Sequence, residues 1–261
     1  MAFFNVEFYS DCLKRCVSFK VVLPNDMPGE AVNQKELKTL YLLHGYSNMN
    51  YEWVWNSNIM ELAGKYKLCV VLPSGENSFY LDGAATGRMY GTFVGEELPL
   101  YVQRTFGVSQ KREDHFLGGL SMGGFGAIHT ALKYPERFAK TFGLSSALIM
   151  YELKNMTPGM SNPIANYEYY HLMFGDLDKL ENHENNPEEL VRRIKAQGGP
   201  MPEIYMACGT EDFLLTSNRA FDVFLTEERV EHIYLESPGA HDFMFWNTYL
   251  EPAVQWLLET K

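Results

Sequence analysis

The feature that most constrains the fold of this chain is an alternation of short apolar runs with helical patterns. Six runs are apolar on both faces, as expected of strands that helices cover on both sides. These runs span residues 39–43, 68–72, 115–120, 139–144, 204–208 and 233–235. Helical patterns lie at 95–106, 123–134, 217–228 and 245–259. The alternation predicts an α/β fold with a mostly parallel, doubly wound sheet.

Two further stretches precede the first of these runs. Residues 3–8 and 16–23 alternate in polarity around a polar turn, and they predict an antiparallel pair that extends one edge of the sheet. The stretch 25–38, with its Pro, Gly and charged residues, predicts an exposed loop. No repeat or linker divides the sequence, so we expect one domain over residues 1–261.

One long connection interrupts the alternation. Residues 147–185, between the fourth buried run and the next helix, are rich in Met and Tyr. Connections of this length inside a compact domain are usually functional or carry small elements of their own. Two interpretations stay open, a lid-like insertion over an apolar pocket and a surface excursion that packs on the body.

Charge and hydropathy narrow the classes of partner. The formal net charge is −11 at pH 7, which disfavours nucleic acid and anionic membranes. No apolar stretch approaches the ~18–20 residues that span a bilayer. The N-terminus lacks the basic region and apolar run of a signal peptide. We therefore expect a cytoplasmic protein with no membrane partner.

The four cysteines are expected to be free thiols. Cys69 and Cys208 lie in buried runs, where a thiol behaves as a small hydrophobe. Cys12 and Cys16 could pair or share a metal, but no second Cys/His pair stands at zinc-site spacing. A reducing compartment also disfavours a disulfide. We expect no metal site.

The strongest chemical signal is the sequence GLSMG at residues 119–123, which matches the G-x-S-x-G nucleophile motif. It follows a predicted strand and opens a predicted helix, as the motif requires. Flanking glycines permit the sharp turn, and the helix start aims free N–H groups at the site. We predict Ser121 as a nucleophile; the alternative is a helix cap without chemical role.

A serine nucleophile needs a base, and the base needs an acid to orient it. Of the seven histidines, His241 lies on a Gly/Pro loop between the last predicted strand and the last helix. Asp212 stands four residues past the fifth strand, and its neighbour Glu211 is the alternative acid. The order Ser121, Asp212, His241 differs from the two common protease orders. Three separate loops thus predict a Ser-His-Asp triad.

The oxyanion of an acyl-transfer intermediate needs hydrogen-bond donors. One predicted donor is the backbone N–H of Met122, the residue after the nucleophile. The other is the N–H of Tyr46, in the loop that follows the first buried run at His44 and Gly45. The alternative for His44 and Gly45 is a simple turn at the end of a strand.

A substrate pocket is expected to be lined by Trp53, Trp55 and Tyr90 together with the Met/Tyr-rich stretch. Aromatic and thioether groups suit a short acyl chain or an aromatic ester. For Trp53 and Trp55 the alternative is ordinary core packing.

These motifs in combination resemble the putative-esterase (esterase D-like) family. They are LLHG at 42–45 with Trp53 and Trp55, VLPS at 71–74, EELP at 96–99, GGLSMGG at 118–124, CGTED at 208–212 and GAH at 239–241. Within the family the chain is most similar to the bacterial tributyrin esterases, over about residues 1–258. The resemblance implies an α/β-hydrolase fold and an intracellular carboxylesterase. It further implies short-chain acyl esters, of acetyl or butyryl type, as substrates, no cofactor, and often a homo-oligomer.

Other activities on the same machinery stay open. They are feruloyl or cinnamoyl ester hydrolysis, thioester hydrolysis of the S-formylglutathione type and, as a further alternative, acyl transfer. The S-formylglutathione branch matches less well, because Gly45 is followed by Tyr46-Ser47-Asn48 and not by Leu-Thr-Cys. A non-catalytic binding module is the remaining alternative, although such proteins usually lose a triad member and this sequence retains all three.

Overall fold

The computed structural model describes residues 1–25 and 34–259. Its strands are β1 Ala2–Ser10, β2 Arg15–Leu23, β3 Thr39–Leu43, β4 Cys69–Pro73, β5 His115–Leu120, β6 Lys140–Leu144, β7 Glu203–Gly209 and β8 His232–Ser237. They form one sheet in the order β1-β2-β4-β3-β5-β6-β7-β8. The pairs β1–β2 and β2–β4 are antiparallel, and the other five are parallel. The predicted sheet and its antiparallel edge are confirmed, but β8, expected to be covered on both faces, lies at the other edge of the sheet and has no buried residue. Most of the loop predicted over 25–38 lies outside the described residues.

Helices fill the connections between the strands. They are α1 Glu52–Asn56, α2 Ile59–Lys65, α3 Tyr90–Thr92, α4 Leu98–Phe106, α5 Met122–Lys133, α6 Met150–Leu153, α7 Tyr167–Phe174, α8 Pro187–Gln197, α9 Leu215–Glu227 and α10 Phe243–Leu258. A π-helical segment, Phe93–Glu97, joins α3 to α4. No helix within the described ranges is long and apolar enough to cross a membrane. The four predicted helical patterns correspond to α4, α5, α9 and α10.

Strand β3 illustrates why the buried runs carry no visible alternation. All five of its residues are buried. Tyr41 and Leu43 pack into a core on one face of the sheet, together with side chains of α5. Leu40 and Leu42 pack into a second core on the other face, with side chains of α2 and α10. Because both faces are covered, both must be apolar.

The parallel register brings the carboxyl ends of the central strands to one edge of the sheet. Leu43 of β3 pairs with Gly119 of β5, and Gly209 of β7 pairs with Ser237 of β8. The first turn of α5 lies directly against the end of β3, since a Cβ on Gly123 would fall 2.4 Å from Leu43 O. Only glycine permits this approach. The loops after β3, β5, β7 and β8 therefore meet at this edge.

The insertion at residues 147–185, for which the sequence leaves both a lid and a packed surface excursion open, contains α6, α7 and a 3₁₀ segment, Leu177–Asn182. Tyr170 and Phe174 of α7 are buried in the core, and Phe174 packs against Phe79 with ring centroids 4.9 Å apart. In contrast, Ile164 keeps 48% of its surface exposed. The insertion therefore packs on the body through α7 and leaves its preceding loop at the surface.

Candidate active site

Ser121 lies on a strained turn between β5 and α5. Its φ of 52° and ψ of −120° fall in a region that L-residues rarely adopt, at a typical cost of about 1–3 kcal/mol. Its N–H donates to Leu144 O over 2.9 Å, and its carbonyl accepts from Phe125 N at 3.0 Å and Ala147 N at 2.9 Å. Three backbone hydrogen bonds thus hold the turn, and the Ser121 side chain borders a cavity.

Asp212 and His241 form a direct pair. His241 Nδ1 lies 2.9 Å from Asp212 Oδ2 and 3.1 Å from Oδ1. The Asp212 side chain is fully buried. A proton on Nδ1 that is donated to this carboxylate leaves Nε2 as the acceptor nitrogen of a neutral imidazole. The structure therefore brings together the acid and base that the sequence predicted.

The electrostatics of Asp212 favour its charged form. Burial alone would raise the pKa of this carboxyl. The hydrogen bond with His241 and a 2.8 Å hydrogen bond from Leu214 N–H lower this pKa. The lowering contributions together exceed that of burial, so the pKa of Asp212 lies below its usual value. Asp212 is therefore ionised at neutral pH and can stabilise a protonated His241.

Two aromatic rings enclose the His241 imidazole. The Phe213 ring centroid lies 4.6 Å from that of His241, and the Trp246 ring meets it edge-on at 5.0 Å. Trp246 is itself fixed by a 3.0 Å hydrogen bond from its indole N–H to Ser145 Oγ. The imidazole is thus held by its hydrogen bonds with Asp212 and by contacts with two aromatic rings, one of which, Phe213, is exposed.

Glu211, the alternative acid, bonds to the backbone of Gly239 rather than to the His241 ring. Its carboxylate accepts a hydrogen bond from Gly239 N–H, and its own N–H donates to Gly239 O over 3.0 Å. The loops that carry Asp212 and His241 are therefore joined to each other beyond the ends of their strands. Of the two neighbouring acids, only Asp212 contacts the histidine in the described part of the chain.

The predicted oxyanion donors, the amides of Tyr46 and Met122, belong to residues that line the same cavity as Ser121. Met122 is the first residue of α5, and the first N–H groups of a helix have no partner within it. The peptide that carries the Tyr46 amide is oriented through its carbonyl, because Gly45 O accepts from His44 Nδ1 over 2.7 Å. Tyr46 and Met122 thus both border the cavity that Ser121 borders.

His44, whose Nδ1 donates to Gly45 O, is a neutral imidazole. Gly75 N–H donates to its Nε2 over 2.8 Å, so the ring proton resides on Nδ1. Burial lowers the pKa of His44 to about 4. His44 is therefore an uncharged structural link between the loop after β3 and the loop after β4.

A cavity of about 480 Å³ opens beside Ser121, and its wall is mostly apolar. Its lining comes from the loops after β3, β4, β5 and β7 and from the insertion. The lining residues are Tyr46, Phe79, Ser121, Met122, Ala147, Ile149, Glu152, Asn162, Pro163, Ile164, Tyr170, Phe213 and Leu214. The Met/Tyr-rich stretch contributes to the lining as predicted, but mostly through residues other than Met and Tyr.

The structure places Trp53 and Tyr90 away from this cavity. Trp53 is 1% exposed, lies in the core on the opposite face of the sheet from α5, and donates its indole N–H to Leu43 O over 2.9 Å. Tyr90 is buried, and its hydroxyl accepts from Arg15 Nη2 at 2.9 Å. The expectation that these rings line the pocket is corrected, because both are needed to fill the two cores.

Trp55 does not line the cavity either. It is 72% exposed and stacks on Tyr51 with ring centroids 3.9 Å apart. The aromatic residues that do line the cavity and that sequence reasoning missed include Phe79 and Phe213. Phe213 directly follows Asp212, so its position in the same loop was a usable signal. Phe79 carried no such signal, because it arrives from the loop after β4.

Two buried histidines make the stability of the fold depend on pH. Burial lowers the pKa of His44 and of His129 to about 4, from an ordinary value of 6.5. Between about pH 6.5 and pH 4 the unfolded chain therefore binds more protons, and stability falls as the pH is lowered through this window. We expect each site to contribute a loss of about 2 kcal/mol between pH 8 and pH 5. Denaturant unfolding at the two pH values measures the loss.

A matched pair of variants isolates the contribution of His129. Its Nε2 lies 2.8 Å from Glu184 O. His129→Gln keeps a donor for that carbonyl and removes the titration, so its loss of stability should be smaller by about 2 kcal/mol. His171→Gln, at an exposed position of α7, should retain the wild-type dependence. Equal dependence in His129→Gln and the wild type would contradict the assignment.

The chain is similar in sequence and in fold to known proteins. A sequence model of the family described as "Putative esterase" matches residues 10–257. An acetyl esterase of Caldicellulosiruptor saccharolyticus is 42% identical over 261 residues, covering 98% of each chain. Among solved structures, the fluorophosphonate-binding serine hydrolase F of Staphylococcus aureus superposes with a TM-score of 0.86 at 28% identity, over 99% of both chains. An S-formylglutathione hydrolase from Staphylococcus aureus superposes with a TM-score of 0.84, also at 28% identity and over 99% of both chains.

Proposed function

The chain belongs to the putative-esterase family and is a serine carboxylesterase of the α/β-hydrolase fold, and from this premise we propose that Ser121, His241 and Asp212 are its catalytic triad. The single observation that carries the proposal is the hydrogen-bonded pair of a buried Asp212 and His241 at the sheet edge where Ser121 occupies its strained turn. This arrangement has the parts that acyl transfer to a serine requires.

The reaction proceeds through an acyl-enzyme. His241 Nε2 takes the proton of Ser121 Oγ as the oxygen attacks the ester carbonyl, and the amides of Met122 and Tyr46 hold the oxyanion. The tetrahedral intermediate collapses as the protonated His241 gives its proton to the leaving alcohol. His241 then activates a water that releases the acid and restores Ser121. Asp212 keeps His241 oriented throughout and stabilises its charged form.

We propose short-chain acyl esters, of acetyl or butyryl type, as the substrates. The 42% identical relative is an acetyl esterase. The apolar wall beside Ser121 suits a short hydrocarbon chain, and the cavity volume of about 480 Å³ also leaves room for the alcohol group. The proposal includes one domain over residues 1–261, a small-molecule ester as partner, a cytoplasmic location and a homo-oligomer. The steps above use only side chains, amides and water, so they call for no cofactor.

A second candidate is thioester hydrolysis of the S-formylglutathione type, which the similarity to the staphylococcal enzyme of that name favours. A panel of p-nitrophenyl esters from C2 to C8, with methyl ferulate and S-formylglutathione added, separates the candidates. We expect kcat/KM to be highest between acetyl and butyryl and to fall by roughly tenfold or more toward C8. A higher kcat/KM for S-formylglutathione or methyl ferulate would reassign the substrate class.

Two variants test whether this cavity sets the chain-length preference. Ile164 lines the cavity, whereas Leu172 on α7 is exposed outside it. Ile164→Ala removes apolar wall and should raise the C8 to C4 ratio of kcat/KM by roughly three- to tenfold. Leu172→Ala should leave the ratio unchanged. Equal ratios in both variants would show that the acyl chain binds elsewhere.

A further inference from the structure

The loop between β3 and α1 is hydrogen-bonded at both amides that flank Tyr46. Gly45 N–H donates to Glu52 Oε2 over 2.7 Å, and Ser47 N–H donates to Asn77 Oδ1 over 2.7 Å. For the Tyr46 N–H itself, no acceptor is found within residues 1–25 and 34–259. The loop therefore presents one free amide between two occupied ones, at the cavity that contains Ser121.

Glu52 is an unusual residue in this position because its carboxylate is buried. It is 6% exposed, in the first turn of α1, and its second oxygen accepts from Asn48 Nδ2 at 2.7 Å. Burial raises the pKa of Glu52, while the hydrogen bonds from Gly45 and Asn48 act in the opposite direction. Burying a carboxylate is costly unless donors satisfy it. Both donors here come from the single loop that carries Tyr46.

Space around Gly45 restricts the loop further. A Cβ at Gly45 would fall 2.7 Å from Leu120 Cδ1 and 3.6 Å from Glu52 Oε2. The loop is thus confined between the end of β5, one residue before Ser121, and the Glu52 carboxylate. If the Glu52 side chain no longer held Gly45 N–H, the loop would have room to move away from the nucleophile.

Asn77 restrains the other side of Tyr46. Ser47 has a φ of 64°, in the left-handed region, which a non-glycine residue holds only when its surroundings fix it. The backbone carbonyl of Asn77 accepts a hydrogen bond from Tyr169 OH over 2.6 Å. The Tyr169 ring meets the Tyr46 ring edge-on, with ring centroids 5.8 Å apart. Asn77 therefore ties the Tyr46 loop to α7 of the insertion.

We propose that Glu52 and Asn77 are positioning residues of the esterase reaction, which occupy the amides of Gly45 and Ser47 and so aim the Tyr46 amide at the oxyanion. The inference rests on the proposed function, because it assumes that Tyr46 N–H holds the charge that attack by Ser121 creates. Loss of one such donor typically lowers kcat by ~10²–10³-fold. A displacement of about 1 Å has effects of a similar order. Since the oxyanion exists only after attack, kcat should fall while KM changes little.

The first test compares two replacements of Glu52. Glu52→Gln retains an oxygen that accepts from Gly45 N–H, whereas Glu52→Leu removes every acceptor at similar volume. We expect kcat for p-nitrophenyl butyrate to fall about 100-fold in Glu52→Leu and to stay within about fivefold of wild type in Glu52→Gln, with KM in both within about threefold. Glu61→Leu, which removes an exposed carboxylate from the neighbouring α2, is the matched control and should retain wild-type kcat. Equal kcat for Glu52→Leu and Glu52→Gln would overturn the role of Glu52.

The second test uses Asn77, which is only partly buried, so we expect its variants to fold. Asn77→Ala should lower kcat about tenfold, and Asn77→Asp, which keeps the acceptor, should restore most of it. Thermal unfolding establishes that each variant is folded. If Glu52→Leu does not fold, the Asn77 pair decides, and wild-type kcat in a folded Asn77→Ala would overturn the proposal.

A fluorophosphonate probe separates failure of this inference from failure of the proposed function. The probe labels a reactive serine, so Ser121→Ala should lose labelling while Glu52→Leu and Asn77→Ala retain one label per chain at a lower rate. If Ser121→Ala keeps its activity, the triad itself is wrong. If Ser121→Ala is inactive while folded Glu52→Leu and Asn77→Ala hydrolyse esters at the wild-type rate, only the positioning role is wrong.

Discussion

Replacing Ser121 with Ala should lower kcat for p-nitrophenyl acetate and butyrate by at least about 10⁴-fold. The hydroxyl is the only group lost, and without it no acyl-enzyme forms. The amides of Met122 and Tyr46 and the cavity remain, so a slow residual reaction above the rate in water is expected. Steady-state hydrolysis at saturating ester measures the effect.

The stability of this variant provides its control. Ser121→Ala keeps the Cβ and hence the backbone strain at φ 52°, so the unfolding temperature should stay close to that of the wild type. A fall in activity that accompanies unfolding would say nothing about catalysis, which makes the melting curve part of the measurement. Hydrolysis at the wild-type rate by a folded Ser121→Ala would show that another residue is the nucleophile.

Asp212→Asn should lower kcat by about 10⁴-fold. The neutral amide removes the negative charge that stabilises protonated His241. The same amide can also place an N–H opposite His241 Nδ1, so that Nδ1 becomes a hydrogen-bond acceptor. The ring proton then resides on Nε2, and Nε2 can no longer take the proton of Ser121. The loss should appear in kcat more than in KM, since Asp212 is absent from the residues that line the cavity.

The adjacent Glu211 offers a matched control, because Glu211→Gln removes one negative charge, as Asp212→Asn does. Glu211→Gln retains an oxygen that accepts from Gly239 N–H, so the loop geometry should persist and kcat should stay within about threefold of wild type. A severe loss in Glu211→Gln together with a mild one in Asp212→Asn would exchange the two assignments.

Much of the fold and the constellation at its sheet edge could be predicted from sequence because the signals were local. The central strands are covered on both faces, so each is a continuous apolar run that ends at a loop with a distinct composition. The turn at Ser121 depends on glycines at fixed offsets. Asp212 and His241 each follow a strand by a few residues, and parallel strands deliver such residues to one edge.

The substrate pocket could not be predicted in the same way, because its walls are assembled from distant segments. Trp53 and Trp55 follow the Gly45 loop closely in sequence, yet α1 turns one toward the core and the other toward solvent. Helices α1 and α2 have five and seven residues, too few to display a helical period. Phe79 and Ile164 meet at the cavity only because the insertion packs back onto the loop after β4.

The connection between Glu211 and Gly239 bears on how this edge of the molecule can deform. Thr210 N–H also donates to O of Ser237, the last residue of β8, over 2.9 Å, so one hydrogen bond at the strand end and two between Glu211 and Gly239 join these segments. We expect a shift of one loop to carry the other with it. The hydrogen bonds between the two loops thus add to the direct contact between Asp212 and His241, whereas no such bond ties either loop to the turn at Ser121 in the described part of the chain.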